Sequence, residues 1–335
     1  MSKLRWGILG TGNIAKQFAT GVRASQSGVL AAVGSRAATS AEGFAKQFGV
    51  PVALASYDAL IQDQSYDALY VSLPNTMHHQ WTIAALRAGK HVLCEKPISV
   101  TAAEAQEMFD VARHTGRVLV EAFMYRAHPQ TIAAIEAIKS GAIGATRLIR
   151  TSFCYRTKKI DGNIRFDPSL AGGALMDIGC YCISFSRLFA GGEPTQIQAI
   201  GITGAQGVDV SVSAQMRFAG DVLATFTCAM NTQADNAAQI CGDEGYLAIP
   251  IPWKPLPGKG LVLIERQTPP KQDGGAIARP ASERIAVDDA RDVYAVEADA
   301  FSDAVHGKRP AFVLPAETIG NMFVLDRIRS MIGRA

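Results

Sequence analysis

A doubly wound parallel α/β sheet, followed by an α+β half built on a large, open-faced and mostly antiparallel sheet, is the fold that these 335 residues predict. Three observations predict it. Short apolar runs alternate with amphipathic helical segments as far as residue 122, the pattern of a parallel sheet covered on both faces. A glycine turn, Gly10-Thr11-Gly12-Asn13-Ile14-Ala15, directly follows the first of those runs. From residue 195 the periodicity switches to two over long stretches, the sign of antiparallel strands with one buried face. The chain exceeds what one core serves, so two domains are expected, at 1–123 and 124–335.

Composition narrows the function classes. Hydrophobic residues at 48% and charged residues at 19% fit a well-packed globule, and a net charge of +3 is too small and dispersed for nucleic acid. No apolar run approaches a membrane span, and the first residues pass into a strand without a signal-type segment. The cysteines at 94, 154, 180, 182, 228 and 241 lack metal-finger spacing. No metal site is expected, and reduced thiols in a cytoplasm are the simplest account.

Taken in order, residues 4–9 form the first strand, and Ile14, Phe18 and Val22 then recur at helical spacing. This is the strand, turn and helix order in which GxGxxG/A binds dinucleotides. Gly10 makes the tight turn, Gly12 lets the backbone approach the pyrophosphate, and small Ala15 lets helix and strand pack closely. The free N–H groups from Thr11 through Asn13 and Ile14 face the phosphate oxygens. Strand 29–33 ends in Gly34-Ser35-Arg36, where an NAD enzyme carries an acid for the ribose 2′-hydroxyl. Ser35 and Arg36 instead suit a 2′-phosphate, so NADP is favoured, with NAD the other candidate. The competing reading leaves Arg36 solvated and the adenosine held by backbone groups.

Thr39-Ser40-Ala41-Glu42 reads as a capping box for a helix ending at Gly49. Runs 52–55 and 68–73 are strands, the second leading into Leu73-Pro74-Asn75-Thr76-Met77-His78. Asn75 and His78 are candidates for contact with the nicotinamide ribose, and Leu73 and Pro74 for contact with the cofactor; a plain turn and helix start is the alternative for Asn75 and His78. Run 91–93 then delivers Cys94-Glu95-Lys96-Pro97. Pro97 biases Lys96 away from the helical region, which fixes Lys96, with Glu95 beside it, at the strand end where such sheets bind ligands. A lysine there can do proton chemistry or anchor a hydroxyl, against the alternative of an ordinary surface lysine. Thr101 and Glu104 form a second capping box, and 118–122 closes the sheet.

Across the junction, Phe123 reads as packing, and Arg126 as a substrate contact or a junction residue. Helix 130–140, strand 147–155 and a polar loop at 156–169 follow; Arg165 in that loop is a candidate substrate contact. A helix is expected from 171 to 189, with Asp177 and Tyr181 on one face and Leu175, Ile178, Cys182, Phe185 and Phe189 on another. Gly172 and Gly173 weaken its start, which points to a close approach there. Strands at 208–218 and 221–230, shorter ones to 287, and helices at 293–305 and 316–332 complete the chain.

Gly10-x-Gly12-x-x-Ala15, Pro74-Asn75-x-x-His78, Glu95-Lys96-Pro97 and Gly172-Gly173-x-Leu175-x-Asp177-x-Gly179-x-Tyr181 together resemble the glucose-fructose oxidoreductase / inositol dehydrogenase / rhizopine catabolism (Gfo/Idh/MocA) family of NAD(P)-dependent oxidoreductases. Glu121-Ala122-Phe123-Met124-Tyr125-Arg126-x-His128-Pro129 and Asp177-Ile178-Gly179-Cys180-Tyr181-Cys182 resemble its branch of dimeric dihydrodiol dehydrogenases and NADP-dependent D-xylose dehydrogenases, with tyrosine where inositol dehydrogenases have histidine. The resemblance implies a Rossmann domain, a cis Lys96–Pro97 bond, and a homodimer through the open face of the second sheet. It implies that Lys96, Asp177 and Tyr181 meet at the nicotinamide and transfer a hydride to or from a carbinol or hemiacetal carbon of a sugar, polyol or trans-dihydrodiol. Tyr181 would be the proton-transfer group, Lys96 would lower its pKa, and Asp177 would orient Lys96 or a substrate hydroxyl. The alternatives are a reductase of a keto-sugar or α-dicarbonyl, and a catalytically silent NADP-binding sensor or partner module.

Overall fold

Apolar runs too short for helices and flanked by glycine turns pair side by side, giving β1 (Leu4–Leu9), β2 (Gly28–Gly34), β3 (Val52–Leu54), β4 (Ala68–Val71), β5 (His91–Cys94) and β6 (Leu119–Glu121). In the computed structural model, which describes residues 2–266 and 283–333, all six are parallel and ordered β3-β2-β1-β4-β5-β6. The order reverses between β1 and β4, so the crevice for a ligand opens beyond Leu9 and Val71. Helices α1 (Asn13–Ala24), α2 (Ala38–Phe48), α3 (Tyr57–Gln62), α4 (Asn75–Arg87) and α5 (Ala102–Thr115) make the crossovers.

Side-chain caps open α3 and α5, whereas α1, α2 and α4 start without one. Thr101 and Glu104 form the expected capping box on α5. The box expected at Thr39 is absent: α2 begins at Ala38, and its N-cap, Ala37, offers no side-chain acceptor. Ser35 Oγ accepts the Ala37 N–H at 3.5 Å and turns the chain early, which leaves Thr39 and Ser40 exposed in the first turn.

The chain divides into two units. The first comprises Met1–His128, Asn163–Gly172 and Arg291–Asp326; the second comprises Pro129–Gly162, Gly173–Ala290 and Arg327–Ala335. Residues 163–172 and 291–326, expected in the second domain, thus group with the first. In that unit Phe18 of α1 stacks on Tyr70 at 3.7 Å, and Trp6 meets Phe18 and Phe301 at 5.0 and 5.1 Å. Helix α6 (Met124–Ala127) also belongs to it.

The second unit holds β7 (Thr146–Cys154), β8 (Gln196–Thr203), β9 (Asp209–Phe218), β10 (Val222–Ala229), β11 (Ala238–Gly242), β12 (Gly245–Ile249), β13 (Gly260–Arg266) and β14 (Glu283–Val287) in one sheet. Every pairing is antiparallel except β7 with β10. The strands expected between 260 and 287 are described on either side of 267–282, which lie outside the described residues. Helix α7 (Pro129–Lys139) belongs to this unit, as does α8 (Cys180–Ala190), which packs on β7 and β10. Val210, Val212, Ala214, Met216 and Phe218 are buried, while Ser213, Gln215 and Arg217 are exposed. The period-two reading of β9 is therefore the observed pleat. Helices α9 (Val293–Val305) and α10 (Pro315–Met331) close the chain.

The segment expected as one helix from 171 departs from that expectation. Two 3-10 turns, Ile164–Phe166 and Pro168–Leu170, lead into a π-turn at Leu175–Gly179, and only then does α8 begin. Glycine is required at both approach positions. A Cβ on Gly172 would lie 2.5 Å from the Arg165 carbonyl oxygen, and one on Gly173 would lie 2.2 Å from Asp209 Oδ1.

Candidate functional site

In the first unit the glycine turn sits at the switch point. Gly10 adopts φ +103°, which favours glycine, and a Cβ there would lie 3.0 Å from the Ser72 carbonyl oxygen. Gly12 caps α1 with no side-chain hydrogen bond, and nothing lies within 4 Å of where its Cβ would be. The exposed Gly12 and Asn13, with Thr11 and Ile14 half-buried, surround free helix N–H groups with no acid in the first turn. This arrangement fits a pyrophosphate. Ser35 is buried at the tip of β2, and Arg36 is exposed beside the uncapped start of α2.

Lys96 follows β5 through a cis bond to Pro97. Buried polar groups brace its backbone: its N–H donates to Glu95 Oε2 at 3.2 Å, and the Ile98 N–H donates to Glu121 Oε1 at 3.1 Å. Glu95 also accepts from the Tyr70 hydroxyl. Burial raises the Glu95 carboxyl, opposed by Lys96, by the Tyr70 hydroxyl and by Arg165 of the same unit.

Two expected contacts resolve differently. The His78 ring, fully buried, lies 2.9 Å from the Pro97 carbonyl oxygen and 2.8 Å from that of Leu73. Burial lowers its pKa against the pull of those two carbonyls, so the neutral ring donates to one at a time. Both ring nitrogens are committed to backbone carbonyls, so the ring ties the Leu73-Pro74 turn to the Lys96-Pro97 turn. The Arg126 guanidinium is similarly committed, 2.5 Å from Glu317 with its side chain 7% exposed. Asn75 donates to the Ala171 carbonyl oxygen at 2.9 Å, which holds the Asn163–Gly172 segment to the start of α4. Arg165 in that segment is exposed.

The second unit brings Asp177 and Tyr181 to one strand end. Tyr155 donates to Asp177 Oδ2 at 2.5 Å, and the Tyr181 ring meets Phe153 edge-on at 5.3 Å. Phe153 and Tyr155 are two apart on extended chain and point the same way. Asp177 and Tyr181 therefore face one side of the end of β7, although the turn between them is wider than an α-turn. Trp253 stands 5.9 Å from Tyr181 and stacks on Phe153, its indole N–H donating to the Ser152 carbonyl oxygen at 2.9 Å. Local sequence pattern assigns Tyr155, Phe153 and Trp253 no role at this strand end. Two aromatics spaced by two at a strand end were the signal that could have found the first pair.

All six cysteines are free, and none of the described helices is long and apolar enough to cross a membrane.

Comparison with known proteins places the chain in a family. Residues 4–123 match the GFO_IDH_MocA oxidoreductase family with its NAD-binding Rossmann fold, and residues 131–248 match the GFO/IDH/MocA C-terminal domain. The chain is 34% identical over 327 residues to D-xylose 1-dehydrogenase (NADP(+)) 2 of Haloferax volcanii, covering 97% of this chain and 96% of that one. It is 36% identical over 255 residues to trans-1,2-dihydrobenzene-1,2-diol dehydrogenase of Mus musculus, covering 75% and 76%. The crystal structure of KijD10, a 3-ketoreductase from Actinomadura kijaniata, in complex with NADP and TDP-benzene, superposes with a TM-score of 0.87 at 30% identity over 99% of this chain and 98% of that one. With both of its domains matched and its motifs in place, the chain belongs to the GFO/IDH/MocA family of oxidoreductases.

Proposed function

We propose that the protein is an NADP-dependent oxidoreductase acting on a carbinol or hemiacetal carbon of a sugar or trans-dihydrodiol, and that Lys96, Asp177 and Tyr181 serve one active site. The observation that carries the reading is the pairing of Asp177 with Tyr155 and of Tyr181 with Phe153 at the same strand end. The bound nicotinamide supplies or accepts the hydride at C4. Tyr181 Oη takes the substrate's hydroxyl proton on oxidation and returns it on reduction. An unperturbed phenol has a pKa of about 10, too high for a base near neutrality. A cation beside the phenol lowers it, and we assign the task to Lys96, whose backbone is braced for it. Asp177 orients Lys96 or a second substrate hydroxyl. Turnover of aldoses, trans-dihydrodiols and dicarbonyls, measured in both directions with NADP and NADPH, tests the reading. NADPH binding without turnover of any of them would leave a sensor or partner module. A keto-sugar reductase is the second reading, favoured by the similarity to a 3-ketoreductase.

The cofactor preference rests on Arg36 and the uncapped start of α2. Arg36→Ala should weaken NADP binding by about 1.5–3 kcal/mol, the scale of a charged hydrogen bond, and leave NAD binding nearly unchanged. Equal Michaelis constants for the two cofactors in the parent protein would refute it.

We also propose a homo-oligomer through the open face of the second sheet. Ile200, Ser213 and Thr227 stand in one row across β8, β9 and β10. Ile200 is 79% exposed, Ile202 61% and Leu223 51%, aliphatic surface that calls for a cover. Ser213→Lys should reduce the mass seen in sedimentation, whereas a parent protein that is monomeric at micromolar concentration would end the idea.

A further inference from the structure

Asp209 stands on β9, outside every motif that points to the reaction, and is 4% exposed. Its surroundings explain a buried carboxylate. Asp209 Oδ2 accepts the N–H of Leu175, the first residue of the π-turn, at 2.7 Å. That N–H is one of the unsatisfied donors at the start of a helical segment, where negative charge is favoured. Asp209 Oδ1 fills the space a Cβ on Gly173 would need, and Gly173 holds φ +129°. The Gly173 carbonyl oxygen accepts the Asp177 N–H at 3.0 Å. The strand itself is irregular there, for the β8–β9 register shifts between Ile202 and Thr203, and Thr203 pairs with Asp209. Such a bulge re-aims a side chain.

We propose that Asp209 is a positioning residue, holding the turn Leu175–Gly179 wide so that Asp177 meets Tyr155 while Tyr181 meets Phe153. The inference rests on the reading of Asp177 and Tyr181 as reaction groups. A π-turn is rare where an ordinary α-helix could form over the same residues, and Asp209 supplies a tie to it from β9. Without Asp209 the segment relaxes toward the α-helix, and Asp177 rotates relative to Tyr181.

Steady-state kinetics on the NADP-loaded enzyme test this, using Asp209→Ala, Asp209→Asn, Asp177→Asn and the Asp209→Ala/Asp177→Asn pair. Asp209→Ala should lower kcat roughly tenfold to a hundredfold, as for a lost hydrogen bond to a charged group. The KM for NADP should stay within about twofold, since the cofactor turns are untouched. Asp209→Asn keeps the size and one acceptor oxygen and should recover part of kcat. With Asp177→Asn already present, Asp209→Ala should cost little more. A lowered Tm with parental kcat and additive effects would show a merely structural carboxylate and overturn the proposal. Should Asp209→Ala not fold, Asp209→Asn decides: reduced kcat supports positioning, and parental kcat overturns it. Loss of turnover in Asp177→Asn beside parental kcat in both Asp209 variants overturns this proposal alone; parental turnover in Asp177→Asn overturns the site reading and the proposal together.

Discussion

Tyr181→Phe should lower kcat by roughly 10²–10⁴-fold while leaving NADP affinity unchanged, the span expected when a general acid–base group is removed. The substitution deletes only the hydroxyl. The ring that packs on Phe153 at 5.3 Å and Trp253 at 5.9 Å stays, so the melting temperature should move little. Lys96→Met should also reduce turnover, and its residual activity should have a pH optimum shifted upward. The sign follows from charge: an ammonium beside a phenol favours phenolate, and removing it lets the phenol pKa rise. A core tyrosine near an unrelated lysine would behave in the opposite way, losing thermal stability and keeping its rate. Near-parental turnover of Tyr181→Phe on the best substrate would mean that the proton leaves through another group.

What the sequence reveals divides along physical lines. The six parallel strands, the glycine turn and the α5 capping box depend on residues within a few positions of one another, and they appear where period and turn chemistry place them. Lys96 belongs with these, because the proline after it and the apolar run before it confine it to a strand end. Side chains whose partners are distant are a different matter. Nothing near His78 in sequence says that its ring ties two backbone turns together, since one carbonyl comes from Pro97. Arg126 finds Glu317 on α10, 191 residues away, and so does not read locally as an ion pair. The π-turn is hidden for the same reason: its tie comes from Asp209, 34 positions beyond Leu175. Tyr155 reads locally as the last residue of a strand, although its hydroxyl holds Asp177.

Glu297→Gln should flatten the decline of folding stability on the alkaline side. Glu297 lies on α9 at 0% exposure, and neither carboxyl oxygen has a hydrogen-bond partner among the described residues. Burial, then the charges of Glu95 and Asp292, raise its pKa well above that of an ordinary glutamate, so the folded protein holds its proton. Tyr70 and Tyr294 are also raised, chiefly by burial, with Glu95 and Glu297 adding to the effect. In the unfolded chain the carboxyl ionises near pH 4.3, about the free glutamate value. A folded pKa above the unfolded one contributes stability that is complete below the unfolded value and lost as pH climbs toward the folded one. Over that window the folded state binds more protons, and each pH unit removes up to about 1.4 kcal/mol. Glutamine keeps the shape of the protonated acid and never ionises, so this contribution to the slope disappears; Glu95, shifted the same way by burial, retains its own. Urea unfolding at intervals from about pH 5 to about pH 9, below the onset of tyrosine ionisation, reads the effect as a stability difference that grows with pH. Parallel curves for the parent and Glu297→Gln would show that the buried carboxyl does not hold its proton.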